Sequence, residues 1–187
     1  MSETPSYLQD AKDILTKDGF ATSGAWYHGT SSALLGSIKG SGLRRSGDKA
    51  MNQAAKKTMA TIGNKYTEQL EPIFLTQSKQ LAYYWAEQAV RRRSVRVEGD
   101  EKPVVLALNL PEELLSEVRP DVGAAGLIMV KEGEHYMGFL AQLYEQCDAG
   151  ILDIDLMKAE RDEYLNKLGM AYLDKDVAPG FLSVVED

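Results

Sequence analysis

Residues 26–43 read WYHGTSSALLGSIKGSGL, and this stretch predicts a β-strand that leads directly into a short helix. Trp26 and Tyr27 favour a strand because aromatic side chains pack well on a pleated surface. The strand is predicted to stop at His28, one of only 2 histidines in the chain. Gly29 comes next, and a glycine there permits a ligand or another strand to approach the backbone closely. The stretch therefore marks a candidate site at the end of a core strand.

A short helix is predicted after this strand, because Thr30 or Ser31 can cap it by accepting a hydrogen bond from a backbone N–H. Its apolar side chains recur at helical spacing, and they are Leu34, Leu35 and Ile38. Gly40 and Gly42 are typical of a helix end, and Leu43 is a candidate anchor in the core.

Strands and helices alternate irregularly along the rest of the chain. Apolar runs predict strands at 72–76, 103–110 and 125–131, and shorter strand-like runs at 170–174 and 177–185. Helical spacing predicts helices within 1–20, 48–70, 78–93, 111–118, 136–147 and 155–168, two of them capped by Ser78 and Asp155. Several strands are too close in sequence for parallel crossovers. The fold class is therefore predicted as α+β, a single domain over 1–187 with a helical insertion at 48–70.

The composition limits the classes of partner. The chain has 187 residues and a formal charge of −7, and 44% of its residues are hydrophobic. This is typical of a globular domain with no general electrostatic attraction to nucleic acid or anionic membranes. No apolar run resembles a signal peptide or approaches the ~18 residues of a membrane span. Cys147 is the one cysteine, and no other metal ligand lies close to it in sequence. We therefore expect a cytoplasmic protein, bacterial or in a host cell, without a membrane or metal partner.

Three arginines, Arg91, Arg92 and Arg93, fall in the last turn of the helix predicted from Ser78. Cations at this position complement the negative end of the helix dipole, and this is the favoured interpretation of the run. The alternative is a basic patch that binds substrate.

Three motifs occur in an order that is typical of one enzyme superfamily. They are YHGTS at 27–31, IFLTQSKQLAYYWA at 73–86 and VVLALNLP at 104–111. In this order they resemble the His-Tyr branch of the ADP-ribosyltransferases, which includes poly(ADP-ribose) polymerases, diphtheria-type toxins and RNA 2′-phosphotransferases. The resemblance covers residues 24–110 and implies a split β-sandwich with an NAD-binding cleft between two sheets.

The resemblance also implies roles for individual residues. A family histidine hydrogen-bonds a ribose hydroxyl of NAD, and the next glycine offers its backbone to the nicotinamide amide; these roles fall on His28 and Gly29. A family tyrosine stacks on nicotinamide, and its spacing favours Tyr84, with Tyr83 as the alternative. Structural roles compete with both assignments, namely a hydrogen-bonded histidine and core aromatic side chains. The NAD-binding candidates are Tyr27, His28, Gly29, Thr30, Tyr83 and Tyr84.

The third catalytic residue is not identified by the motifs. Family members that transfer ADP-ribose usually carry a glutamate at the start of a late strand, and that position falls near Met170 in this chain. Glu163 is the favoured substitute because it is the nearest upstream glutamate. Glu132 and Glu134 are further candidates.

The resemblance implies a glycosyltransferase that cleaves NAD and transfers ADP-ribose to a macromolecular acceptor, a protein or a nucleic acid, as bacterial and phage effectors or toxins do. One alternative is a catalytically silent domain that binds a protein or nucleotide. A second is an enzyme like the RNA 2′-phosphotransferases, for which Arg44 and Arg45 are only a loose match. A third is a helical interaction module whose motif matches arise by chance.

Overall fold

The computed structural model describes residues 3–20, 24–61, 63, 70–121 and 131–187. Its helices are α1 (Ala11–Ile14), α2 (Leu35–Ser41), α3 (Lys49–Thr61), α4 (Lys79–Ser94), α5 (Glu112–Leu115), α6 (Lys131–Gln146) and α7 (Arg161–Leu168). Its strands are β1 (Leu15–Thr16), β2 (Gly19–Phe20), β3 (Trp26–Ser31), β4 (Ile73–Thr76), β5 (Pro103–Leu108), β6 (Arg119–Pro120), β7 (Met170–Leu173) and β8 (Leu182–Val184). Helices and antiparallel strands are mixed, which confirms the predicted α+β class.

The centre of the fold is a six-stranded sheet in the order β6-β7-β4-β3-β5-β8, and every neighbouring pair is antiparallel. β3 pairs with β5 along its whole length, from Trp26↔Leu108 to Ser31↔Pro103. With β4 it pairs only at Tyr27↔Thr76. The sheet therefore consists of two halves, β6-β7-β4 and β3-β5-β8, that are joined at one residue pair.

The two faces of the sheet are covered by different helices, because alternate residues of a strand point to opposite faces. On the face of Trp26, α2 and neighbouring loops complete an apolar core whose buried members are Trp26, Ile38, Leu43, Ile73, Leu75, Leu106, Leu108, Leu110, Ala171, Leu173 and Val177. On the face of Gly29, α4 lies directly against β3. A Cβ on Gly29 would be 2.0 Å from the carbonyl oxygen of Ala82.

A second core lies between α4, α6 and α7. Its large side chains include Phe20, Tyr84, Tyr136, Leu140, Tyr144 and Leu168. The Tyr136 hydroxyl donates to the carbonyl of Leu168, so even the polar end of this ring is paired inside the core.

The start of the chain does not form the one helix predicted for 1–20. A 3₁₀ turn (Ser6–Leu8) and the short α1 are followed by the β1–β2 hairpin. Asp10 explains the break, because its carboxylate accepts hydrogen bonds from the Ser78 hydroxyl (2.6 Å) and from the backbone N–H of Lys79 (2.9 Å). It therefore acts as a cap of α4 rather than as a surface residue of an N-terminal helix.

Three other predicted segments are observed only in part. Asp155 caps only an isolated turn, through the N–H of Met157 at 3.0 Å, and α7 begins later, at Arg161. The helix predicted within 48–70 is confirmed as α3, whereas residues 62 and 64–69 lie outside the described residues. The strand predicted at 125–131 also lies outside them, except that Lys131 begins α6.

Candidate functional site

A cleft of about 540 Å³ opens where β3 and β4 diverge. Its walls are β3, α2, the segment 42–48, the first turns of α3, residues 71–74 and the C-terminal half of α4. The divergence creates this space, because two strands that remained paired would leave no gap between them. Of the six predicted NAD-binding residues, His28, Gly29 and Thr30 line the cleft.

His28 does not end its strand as predicted, because β3 continues to Ser31 through its pairing with β5. Its Nδ1 lies 2.8 Å from the carbonyl oxygen of Phe74, on the diverging strand β4. A carbonyl only accepts, so Nδ1 carries the proton, and the neutral ring keeps Nε2 as an acceptor. Burial lowers the pKa of His28, and the hydrogen bond to Phe74 offsets this only in part. At neutral pH the cleft therefore contains an uncharged imidazole.

The backbone of Gly29 faces the side of β3 on which the cleft lies. The N–H of Ser32 donates to the carbonyl of Lys102 (2.9 Å) in the register of the β3–β5 pair, so even-numbered residues of β3 bond to β5. Gly29 therefore directs its N–H and C=O toward β4. Among the described residues, the β3–β4 ladder contains only the pair Tyr27↔Thr76. The N–H and C=O of Gly29 are consequently placed to pair with a planar amide in the cleft.

Tyr84 does not line the cleft. It is 2% exposed, and its ring stacks on Phe139 with centroids 4.8 Å apart, beside Tyr136. Ala82 is the residue that packs on β3, and Tyr84 lies two positions later, about 200° further round a helix that turns 100° per residue. The prediction that the Tyr84 ring flanks the same pocket as His28 is therefore wrong, because this side of α4 faces α6.

Tyr83 and Tyr27 are also absent from the cleft lining. Tyr83 is buried with Leu8, Ala82 and Val105, and Tyr27 packs against this group. Phe74, which is 46% exposed, is the one Phe, Tyr or Trp residue among the described residues that line the cleft. Sequence reasoning missed it because the residue lies within an apolar run that predicts a buried strand.

Glu163 also lies outside the cleft. It is in the first turn of α7, a helix that packs against β2 of the β1–β2 hairpin and against β6 and β7, two strands of the other half of the sheet. Met170, at the position expected for the family glutamate, is buried in β7. The side chains of Glu132 and Glu134 lie outside the described part of the chain.

Two carboxylates line the cleft among the described residues, and they are Asp48 and Glu71. Asp48 caps α3 through the N–H of Met51 (3.1 Å) and forms an ion pair with Arg93. The side chain of Glu71 is exposed and makes no salt bridge with any described residue. Its position directly before Pro72 and β4 is the one signal in the sequence that could have drawn attention to it.

The three arginines of α4 do not share one role. Arg93 is buried and binds both oxygens of Glu101, at 2.7 and 2.9 Å, in addition to Asp48. Ser31 donates to the same Glu101 carboxylate at 2.5 Å. This network ties β3, α3 and α4 together at one end of the cleft. Arg92 lines the cleft, whereas Arg91 is exposed outside it.

His28 should make the stability of the protein sensitive to acid. Its folded pKa is lowered, so the unfolded chain binds the proton more readily and unfolding is favoured as the pH falls below about 6.5, the usual pKa of histidine. We expect the free energy of unfolding to fall more steeply between pH 7 and pH 5 for the wild type than for His28→Gln. Urea titrations at several pH values measure this difference. Equal slopes for the two proteins would contradict the burial of a neutral His28.

No helix among the described residues has the length and apolar character that crossing a membrane requires. Within the same part of the chain, no three His, Cys, Asp or Glu side chains are grouped as a metal ion would require. Comparison with protein-family models, with curated proteins and with solved structures finds no match to this chain.

Proposed function

We propose that this protein is an NAD-dependent ADP-ribosyltransferase with an ADP-ribosyltransferase-like split β-sandwich fold, and that it acts in the cleft between β3 and β4. The observation that carries the proposal is the neutral His28 beside the outward-facing backbone of Gly29 in one cleft. The volume of about 540 Å³ lies in the range of small-molecule sites, roughly 300–1,000 Å³. The single pair that joins the two halves of the sheet also supports a split fold.

These groups suit the recognition of the nicotinamide riboside part of NAD. Nε2 of His28 accepts a hydrogen bond from a ribose hydroxyl, and the N–H and C=O of Gly29 pair with the carboxamide. Phe74 takes the stacking role in place of Tyr84, since it is the aromatic ring that borders the cleft. The ligand would thus be held by two strands that diverge around it.

The reaction breaks the glycosidic bond between nicotinamide and ribose. The bonding electron pair leaves with nicotinamide, which departs as a neutral molecule, and the ribose carbon acquires oxocarbenium character. A nucleophilic atom of the acceptor then bonds to this carbon and loses its proton to a base. Positioning and electrostatic stabilisation supply most of the catalysis in such a reaction.

Glu71 is the carboxylate we assign to this step in place of Glu163. It lines the same cleft as His28, and no described cation pairs with it, so it is free to stabilise the positive ribose and to accept the proton. Asp48 suits the step less well, because its carboxylate is engaged by Arg93.

A catalytically silent binding domain is the second candidate. The core position of Tyr84 and the absence of Glu163 from the cleft favour it. An activity like that of the RNA 2′-phosphotransferases has less support, because Arg44 and Arg45 are held by Asp176 and Asp174 at 2.9 Å. Both guanidinium groups are therefore already paired with carboxylates in this structure.

Nicotinamide release from NAD, together with NAD binding by calorimetry, tests the proposal. We expect His28→Ala to lower kcat/KM about 10- to 100-fold, the loss that corresponds to one strong hydrogen bond. Glu71→Gln should lower kcat with little change in NAD binding, because its charge acts mainly on the transition state.

Two matched variants serve as controls. His135→Ala removes an exposed histidine on α6, and Glu163→Gln neutralises a glutamate outside the cleft; both should behave as the wild type does. NAD binding without any nicotinamide release or transfer would favour the silent domain. A wild-type protein that neither binds nor cleaves NAD would refute the proposed function.

A further inference from the structure

Two cations in the cleft wall form no ion pair within the described part of the chain. Arg92 and Arg96 line the cleft at the end of α4, and both are exposed. Neither side chain makes a salt bridge or a hydrogen bond with any described residue. Arg92 lies in the last turn of α4 and Arg96 lies two residues past its end at Ser94, and both line the same cleft.

Capping of α4 does not account for these two arginines. The carbonyl of Arg91 accepts from the Ser94 hydroxyl at 2.9 Å. The carbonyl of Arg93 accepts from the N–H of Arg96 and of Val97, at 2.9 and 2.7 Å. These terminal carbonyls are thus satisfied without an arginine side chain, and Arg91 already supplies a cation to the helix dipole outside the cleft.

After the ion pairs of the cleft are counted, the positive charges of Arg92 and Arg96 outnumber the unpaired negative charges. Arg93 is neutralised by Asp48 and Glu101, and Arg44 is neutralised by Asp176. Glu71 is then the one free carboxylate among the described lining residues, against two free guanidinium groups. The protein carries a formal charge of −7, so a positive local field at this position opposes the charge of the chain as a whole.

We propose that Arg92 and Arg96 form an anion subsite that binds the phosphate groups of a ligand occupying the cleft. Planar guanidinium groups bind phosphate oxygens through paired N–H donors, and two of them on one wall of the cleft suit a pyrophosphate or a phosphate diester. The phosphates could come from the dinucleotide itself or from a phosphorylated acceptor. The identity of the ligand rests on the proposed function. The anion site itself does not, because its binding of anions can be measured without NAD.

Calorimetric titration with inorganic pyrophosphate and with ADP-ribose tests the subsite directly. We expect Arg92→Gln and Arg96→Gln each to raise the Kd for both ligands about tenfold, and the double variant to raise it further. Arg91→Gln is the matched control, because it removes the same charge from the same helix outside the cleft, and its Kd should change less than about twofold. Thermal unfolding of each variant shows whether the fold is retained.

A second titration identifies the source of the phosphate. A 5′-phosphorylated oligonucleotide is added in the presence of saturating ADP-ribose. If the dinucleotide supplies the phosphates, ADP-ribose excludes the oligonucleotide from the arginine pair. If the acceptor supplies them, the oligonucleotide still binds and its affinity depends on Arg92 and Arg96.

The outcomes separate this subsite from the proposed function. Unchanged pyrophosphate and ADP-ribose affinities in folded Arg92→Gln and Arg96→Gln would overturn the subsite, whether or not NAD is cleaved, and so would a wild type that binds neither ligand. Arginine-dependent pyrophosphate binding by a wild type that does not cleave NAD would support the subsite and count against the transferase.

Discussion

Replacing Arg93 with methionine is expected to lower the free energy of unfolding by about 3–5 kcal/mol, the usual cost of leaving a buried charge without its partner. The variant keeps an unbranched apolar side chain, shorter than that of arginine, and loses both ion pairs. The Glu101 carboxylate, whose side chain is 8% exposed, would then remain buried with the Ser31 hydroxyl as its hydrogen-bond donor. Urea unfolding of the two proteins at pH 7 measures the loss.

The pH dependence of that loss provides an internal check. Hydrogen bonding from Arg93 lowers the pKa of Glu101 in the folded wild type. The ionised Glu101 therefore stabilises the fold above the usual pKa of glutamate, and this stabilisation is lost as the pH falls through the lower pKa that Glu101 has in the folded protein. In Arg93→Met burial would raise the Glu101 pKa instead, and protonation would relieve the cost. The difference between the two proteins should therefore shrink from pH 7 toward pH 4.

Arg91→Met is the control for this prediction, since Arg91 is exposed on the same helix and makes no salt bridge with described residues. It should change the free energy of unfolding by less than about 0.5 kcal/mol. A cost for Arg93→Met as small as that of Arg91→Met would mean that the network does not join α4 to β3 and α3.

Replacing Gly29 with alanine should destabilise the fold by about 3 kcal/mol, at the upper end of the range for overpacking. The added Cβ would lie 2.0 Å from the carbonyl oxygen of Ala82 and 2.5 Å from the backbone nitrogen of Ala86. Both atoms belong to the backbone of α4, so no side-chain rotation relieves the clash and the helix must move away from β3. Because α4 also forms a wall of the cleft, ligand binding should weaken together with stability.

Gly36→Ala is the matched control for this substitution. Gly36 lies in α2, and a Cβ there meets no atom within 4 Å. Alanine is the better helix former, so this variant should be unchanged or more stable by about 0.5–1 kcal/mol. Thermal and urea unfolding of both variants provide the comparison, and a Gly29→Ala protein as stable as Gly36→Ala would contradict the close approach of α4 to β3.

Gly29 also shows why a motif residue does not by itself identify a ligand site. The close approach of α4 requires a glycine at this position even without any ligand. The functional interpretation depends instead on the direction in which the N–H and C=O of Gly29 point. That direction follows from the register of β3 against β5, and these groups face the cleft because β3 pairs with β4 only at Tyr27↔Thr76.

Elements that depend on local preference could be predicted from the sequence. The strand at Ile73–Thr76 and the helix that starts after Ser78 are examples, because apolar runs and side-chain caps act within a few residues. The N-terminal segment was harder to predict. Asp10 caps α4, a helix that begins 69 positions beyond it, and no local pattern indicates that contact.

The amino-acid sequence by itself determined the α+β class, the core strand that begins at Trp26, the strand at Ile73–Thr76 and the helix that follows Ser78. Short-range forces suffice for these features, since they depend on side-chain periodicity, caps and glycines. Only the tertiary structure decided which side chains meet in the cleft. Because α4 packs on Gly29 through Ala82, its orientation directs Tyr84 into the core. The divergence of β4 from β3 places Phe74 and Glu71 at the cleft. Both depend on packing between segments far apart in the chain, and a periodic pattern carries no information about that packing.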